Sequence, residues 1–194
     1  FYNLQNIGSS LTISSPVEII NELTPSNGSV NLNTENVTLL STATNTARIG
    51  IVGGAVNLTG TITLQRYVSG KDPSWYYLTS PLEGTTLGDW TGDFKLQGAF
   101  NGLMPNVAFW DESANAWDPL TSLSTTIPVG QGVKAYWWDS QLGDTNKDLL
   151  FDNVGSVNHG AEPVSLTADT DGWNLIGNHY PKVIDWDLVT KPAG

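Results

Sequence analysis

Leu11-Thr12-Ile13-Ser14-Ser15-Pro16-Val17-Glu18-Ile19 is answered further along the chain by Val30-Asn31-Leu32 and Val37-Thr38-Leu39, then by Ile49-Gly50-Ile51 and Val56-Asn57-Leu58. Within each group apolar residues alternate with polar ones, the pattern of a half-buried strand. Leu11, Val30 and Ile49 are nineteen residues apart, while Val17, Val37 and Val56 step by twenty and nineteen. A third series, Leu4, Leu23, Ala43 and Ile62, keeps the same period. Turn formers occupy the corners: Gly8, Ser14-Ser15-Pro16, Asn27-Gly28 and Gly53-Gly54. Three short strands per lap predict coils of a parallel β-helix over residues 1–64. Spacing alone does not set strand direction, so ordinary antiparallel strands of a sandwich would carry the same pattern. One lap cannot bury its inward side chains by itself. Three laps therefore predict the end of a longer solenoid, or a solenoid capped by the domain that follows.

The texture changes near residue 65. Residues 1–64 contain no Trp, no Lys and only the charges of Glu18, Glu22, Glu35 and Arg48, whereas all eight Trp lie beyond residue 74. Aromatic β runs follow at Gln65–Ser69, Trp75–Thr79, Val107–Trp110, Val133–Trp138, Leu149–Asp152, Pro163–Thr167 and Trp173–Ile176. Asp111 to Ala116 reads as a hairpin loop, and Ser80–Asp93 and Gly98–Pro105 as longer connections. No stretch holds helical periodicity. The prediction is all-β: a short parallel β-helix of nineteen-residue coils (1–64) followed by an antiparallel β-sandwich (65–194).

Charge and composition narrow the function. The 194 residues carry 19 acidic against 8 basic side chains, a formal charge of −11, which disfavours nucleic acid and anionic membrane surfaces as partners. The chain has 8 Trp, 6 Tyr and 5 Phe, too aromatic for a disordered acidic tail. No apolar run is long enough to span a bilayer, and no charged-then-apolar stretch marks a signal peptide. Zero Cys removes disulfides, thiolate metal sites and Cys nucleophiles. The first residue is Phe1, and the expectation is a mature or excised piece of a longer chain.

Gly172-Trp173-Asn174-Leu175-Ile176-Gly177-Asn178-His179-Tyr180-Pro181-Lys182-Val183-Ile184-Asp185-Trp186-Asp187 closely resembles the "GWNLIGNPYPSAIDWD" signature of very large, repetitive surface and secreted proteins of Bacteroidota. Gln65-Arg66-Tyr67-Val68 with Trp75-Tyr76-Tyr77-Leu78-Thr79-Ser80-Pro81 is similar to that family's "v-Q-R-Y … W-R-Y-L-S-S-P" block. Phe109-Trp110-Asp111-Glu112 to Trp117 resembles its "Y-D-E … W" hairpin, and Val129-Gly130-Gln131-Gly132-Val133-Lys134-Ala135-Tyr136 its "G-x-G-Y" strand. The lap Phe1–Val17 is similar to the repeats that precede the module. His179 departs from the pattern, standing where the family has Pro. The resemblance implies export by the type IX secretion system, display at the cell surface or release from it, and an adhesin-like or unassigned role; the expectation of no catalysis comes from the residues themselves, which form no catalytic constellation. It implies neighbouring domains of the same chain and the secretion machinery as partners.

Candidate chemistry is sparse. There is no G-x-S-x-G elbow to pair with His159 or His179, both read as surface residues in turns, and no H-E-x-x-H. Asp185/Asp187 and Asp111/Glu112 are the carboxylate pairs a glycosidase could use, with Asp185 as a turn cap in the plainer reading. Asp144, Asn146 and Asp148, with Asp152 beyond, carry oxygen ligands at the spacing that opens a Ca²⁺ loop. Leu149 replaces the turn Gly and Gly155 the closing Glu, so an EF-hand is excluded and a looser calcium site remains. Sequons at Asn27, Asn36 and Asn57 follow from an Asn/Thr-rich composition. Exposed aromatics next to carboxylates suit sugar stacking, and Trp90 beside Asp89 and Trp138 beside Asp139 are the candidates, while Trp173 is expected in the core. Alternation in Trp75-Tyr76-Tyr77 and Tyr136-Trp137-Trp138 sends neighbours to opposite faces, so each run places some aromatic surface outside the core. The expected role is structural and adhesive; the alternatives are a carbohydrate-binding module of a secreted polysaccharide-degrading enzyme and a filament subunit pairing with copies of itself.

Overall fold

A computed structural model describes residues 1–69, 74–93, 95–137 and 148–191. The chain is all-β, with short 3-10 turns at Leu87–Trp90, Ala99–Asn101 and Trp186–Leu188. The first seven strands are β1 (Asn3–Asn6), β2 (Ser10–Thr12), β3 (Val17–Ile19), β4 (Glu22–Pro25), β5 (Ser29–Leu39), β6 (Arg48–Ile49) and β7 (Asn57–Val68). They pair parallel in two sheets, β1-β4-β6 and β2/β3-β5-β7. The first lap keeps the predicted register: Leu4 faces Leu23, Leu11 faces Val30 and Val17 faces Val37.

The second lap does not. Leu23 pairs with Ile49, Val30 with Leu58, and Val37 with Ile62, so the pairings that the nineteen-residue series assigned to Ala43, Ile49 and Val56 are replaced. The longer lap absorbs its extra residues in two places. One is a small hairpin closed by an antiparallel bridge between Ser41 and Thr46, whose hydroxyls lie 2.8 Å apart; the other is the loop through Gly53 and Gly54. Register also slips within β5, between Asn31 and Thr34 and again between Thr34 and Val37. Asn33 sits at the slip with φ 53°, and Gly60 opposite has φ 96°. A Cβ on Gly60 would stand 2.2 Å from the Asn33 carbonyl oxygen, so only glycine permits this approach. The Asn33 and Asn36 side chains both donate to the Ile13 carbonyl at the corner.

Inward residues of successive laps form one core: Ile19, Leu39 and Leu64 in one row, Val37 and Ile62 in another, Leu23 and Ile49 in a third. Leu82 and Val157 join it from the aromatic half. The compositional break at residue 65 falls inside β7, which runs on to Val68 and pairs antiparallel with β13 (Leu149–Val157). Strand β13 in turn pairs with β9 (Leu82–Glu83). A separate antiparallel sheet has the order β11 (Ala116–Pro119), β10 (Val107–Asp111), β12 (Val133–Trp137), β8 (Ser74–Leu78). Its inner face contributes Val107, Val133, Ala135, Tyr76 and Leu78 to a second core, against Phe151, Leu149 and Val68 of the β7–β13 pair.

Pro163–Thr167 and Trp173–Ile176, predicted as strands, form none; Ile176 makes an isolated antiparallel bridge with Gln131. Asn174 supplies the missing bonds with its side chain, accepting from Thr167 N–H at 3.1 Å and donating to Thr167 C=O at 2.8 Å. Backbone bonds from Gly132 N–H to Leu175 C=O and from Gly177 N–H to Gly130 C=O tie this segment to the end of β12. A Cβ on Gly132 would lie 2.5 Å from the Leu175 side chain.

Leu39 has no solvent exposure and stands between Ile19 and Leu64. Leu39→Ala is expected to lower unfolding free energy by about 3 kcal/mol in urea titrations. Ile51→Ala, at a side chain 82% exposed, is expected to change it by under about 0.5 kcal/mol.

Candidate functional site: an aromatic sheet face

Residues paired across strands share a face, so the ladder identifies the outer surface of the four-stranded sheet. Trp110 faces Trp117; Lys134 faces both Ala108 and Tyr77; Tyr136 faces Trp75. Trp75, Tyr77, Trp110, Trp117, Lys134 and Tyr136 thus lie together, opposite the core-facing Tyr76 and Leu78. The alternation read from Trp75-Tyr76-Tyr77 is what divides them.

The rings are in contact. Trp110 meets Trp117 edge-on at 5.2 Å, Tyr77 stacks near-parallel to Trp117 at 6.2 Å, and Trp75 packs on Tyr136 at 5.1 Å. The Lys134 ammonium bridges the two halves, 4.2 Å from the Trp75 ring centre and 4.6 Å from that of Trp117. Trp173 extends the cluster from the loop beyond, edge-on to Trp110 at 4.8 Å. Solvent reaches the face: Trp75 is 48% exposed, Tyr77 63% and Trp173 44%. Trp173 is therefore a surface residue and not the core residue expected.

A buried carboxylate positions Trp173. Glu112, in the β10–β11 turn, is only 3% exposed and accepts from the backbone N–H groups of Asp169, Thr170 and Gly172 at 2.8, 2.8 and 2.9 Å. The Thr170 hydroxyl lies 2.6 Å from the Glu112 carbonyl and 2.8 Å from its carboxylate. The Trp110 indole N–H donates to the Trp173 carbonyl at 2.7 Å. Burial by itself would raise the Glu112 pKa; the donors at Gly172, Asp169 and Thr170 outweigh it and bring the group to about 2. No local motif announces this clamp, because its partners lie more than fifty residues away.

The other sequence candidates fall elsewhere. Trp90 is 1% exposed, its indole N–H 3.2 Å from the Asn153 side-chain oxygen and its ring edge-on to Phe151, so it is a core residue and not a sugar platform. The 3-10 turn at Leu87–Trp90, capped by the Asp89 carboxylate on Thr86 N–H, points the ring inward. Trp138, Asp139, Asp144 and Asn146 lie outside the described residues. Asp148 bonds the Tyr67 hydroxyl, while Asp152 bonds Gln65 and lies against Asp93. Among the described residues no three His, Cys, Asp or Glu side chains are grouped as a metal site would need. Asp185 accepts from Asp187 N–H, capping the Trp186–Leu188 turn, and Asp111 accepts from Ala114 N–H in its hairpin. His179, read from sequence as a surface residue, is 7% exposed and packed on Tyr180, and burial draws its pKa down. The face offers flat, amphipathic ring surface with indole and phenol edges, suited to stacking on the C–H face of a sugar.

Two pH responses follow. Glu112 falls from 4.5 to about 2, so it stabilises the fold above pH 4.5 and that contribution drains away toward pH 2. Acidification through this window is expected to undock Trp173, seen as a tryptophan emission change that Glu112→Gln largely removes while lowering Tm at pH 7. Asp93 moves the other way, raised to about 6 by burial and by the Asp152 and Asp89 carboxylates against the Asp152 N–H. Its ionisation destabilises the fold above pH 6, so Asp93→Asn is expected to raise Tm at pH 8, with the gain shrinking as pH falls toward 4.

No protein-family model matches the chain, and neither a curated protein nor a solved structure does.

Proposed function

We propose that this chain is a non-catalytic structural and adhesive segment of a large exported bacterial surface protein, of the type IX-secreted kind its motifs resemble. In this reading the parallel-paired strands of residues 1–64 are coils of a short β-helix, and the aromatic half is a β-sandwich module stacked on its end. The observation that carries it is the parallel pairing of β1-β4-β6 and β2/β3-β5-β7 over a shared apolar core. Such stacking gives length and resistance to proteases for little sequence complexity. The acidic, Thr/Asn-rich exterior suits an extracellular setting, with surface glycans and adjoining domains as the partners.

The aromatic face favours a second reading within the same exported setting, a carbohydrate-binding module. The outer edges of β1, β2 and β3 have no strand neighbour among the described residues and would accept a further lap or another copy, which is the filament reading.

Beads coated with the purified chain, passed under flow over immobilised polysaccharides, test adhesion. Retention is expected, and the double variant Trp75→Ala/Tyr77→Ala is expected to weaken binding by about tenfold. No retention on any surface would overturn the adhesive half. Rapid cleavage within residues 1–64 by a nonspecific protease would overturn the structural half, and a concentration-independent monomer in light scattering would remove the filament reading.

A further inference from the structure

A recess lies apart from the aromatic face, between the β6–β7 side of the parallel strands and the loop 178–184. Its volume is about 410 Å³, within the range of small-molecule pockets, and it is lined by Thr46, Ala47, Arg48, Arg66, Asn178 and Lys182, with Val183 and Ile184 at its side. Three of the chain's 8 basic residues meet here, and among the described residues no acidic side chain lines the space. In a protein of charge −11 this is a local reversal of sign.

The three cations differ in what they already hold. Arg48 is neutralised by Glu22, through Nη2 at 2.8 Å and Nε at 2.9 Å. Arg66 is half-buried, and its hydrogen-bond partners among the described residues are backbone carbonyls: Nη1 reaches Gln65 O at 2.8 Å and Ala47 O at 3.4 Å. Those bonds orient the guanidinium and leave Nε and Nη2 without a protein acceptor among the described residues. The Lys182 ammonium lies 5.4 Å from the Tyr180 ring and makes no ion pair among the described residues. A half-buried guanidinium held by neutral carbonyls bears a desolvation cost that an anion would offset, and its planar fork suits two oxygens of one group. The opposite wall is built. Asn178 Nδ2 donates to Lys182 O at 2.7 Å, Asn178 Oδ1 accepts from Tyr180 N–H at 3.0 Å, and Pro181 O accepts from Ile49 N–H at 2.8 Å, pinning the loop to β6.

We propose that this recess binds a small oxyanion, with Arg66 as the bidentate anchor, Lys182 as the second positive charge and Arg48 held in reserve by Glu22. A carboxylate on an acidic sugar and a free inorganic oxyanion present the same chemistry to these residues.

Calorimetric titration of the intact chain with glucuronate, and separately with sulfate, at ionic strength held constant by sodium chloride, tests this. Saturable binding is expected at millimolar concentration. Tighter binding of glucuronate identifies the sugar as the source, and tighter binding of sulfate the free ion. Lys182→Met is expected to weaken binding by about tenfold and Arg66→Met to abolish it, each with an unchanged near-ultraviolet circular dichroism spectrum. Glu22→Gln, which frees Arg48, is expected to tighten binding even if Arg66→Met fails to fold. Tyr77→Ala, on the aromatic face, is expected to leave it unchanged, which separates this site from polysaccharide adhesion. Absence of saturable binding by either anion, or binding that Lys182→Met and Glu22→Gln both leave unchanged, would overturn the proposal.

Discussion

Strand β7 is hydrogen-bonded along both edges, and the rest of the molecule depends on that. Ile62 faces Val37 on the parallel side and Gly155 on the antiparallel side; Leu64 faces Leu39 and Asn153 in the same way. A strand so enclosed cannot shift register without breaking two ladders at once, and a one-residue slip would turn its buried residues outward. The polar laps and the aromatic half therefore share one sheet. Leu82 and Val157 belong to the same core as Ile13 and Ile19.

The same enclosure sets the aromatic face. Phe151, Leu149 and Val68 on the β7–β13 pair receive the inner residues of the four-stranded sheet, so that sheet has only one side left for Trp75, Tyr77, Trp110 and Trp117. Lys134 lies over the Trp75 and Trp117 rings, and the Glu112 clamp fastens the segment that leads into Trp173. The clamp fastens a segment without strand pairing of its own, using a carboxylate where a neighbouring strand would supply carbonyls. The cationic recess arises from the same economy: the loop that follows Trp173 returns to β6 through Pro181 and closes over Arg66.

Legibility in the sequence tracked how local each cause was. The first lap was readable because nineteen residues separate Leu4 from Leu23 with nothing inserted between corners. The second was not, since the Ser41–Thr46 hairpin and the Gly53-Gly54 loop lengthen it, and apolar residues at Ile49 and Val56 happened to continue the old period. The Asp111–Ala116 hairpin was readable from its turn residues, Asn115 among them at φ 48°. Trp90 and Trp173 exchanged roles for a non-local reason. A capped 3-10 turn drives Trp90 toward Asn153, sixty-three residues on, while the segment just before Trp173 is bonded to a distant glutamate and its carbonyl to the Trp110 indole.

What the sequence alone determined is the all-β character, the two textures, the alternation that divides Tyr76 from Trp75 and Tyr77, and the nineteen-residue step of the first lap. Each follows from side-chain period and turn chemistry within a few residues. The tertiary structure decided the length of the second lap, the continuity of β7 across the compositional break, which tryptophans meet solvent, and the gathering of Arg48, Arg66 and Lys182 around one recess. Those depend on pairings between residues far apart in the chain, where ladder register and close packing select among arrangements that local pattern leaves equivalent.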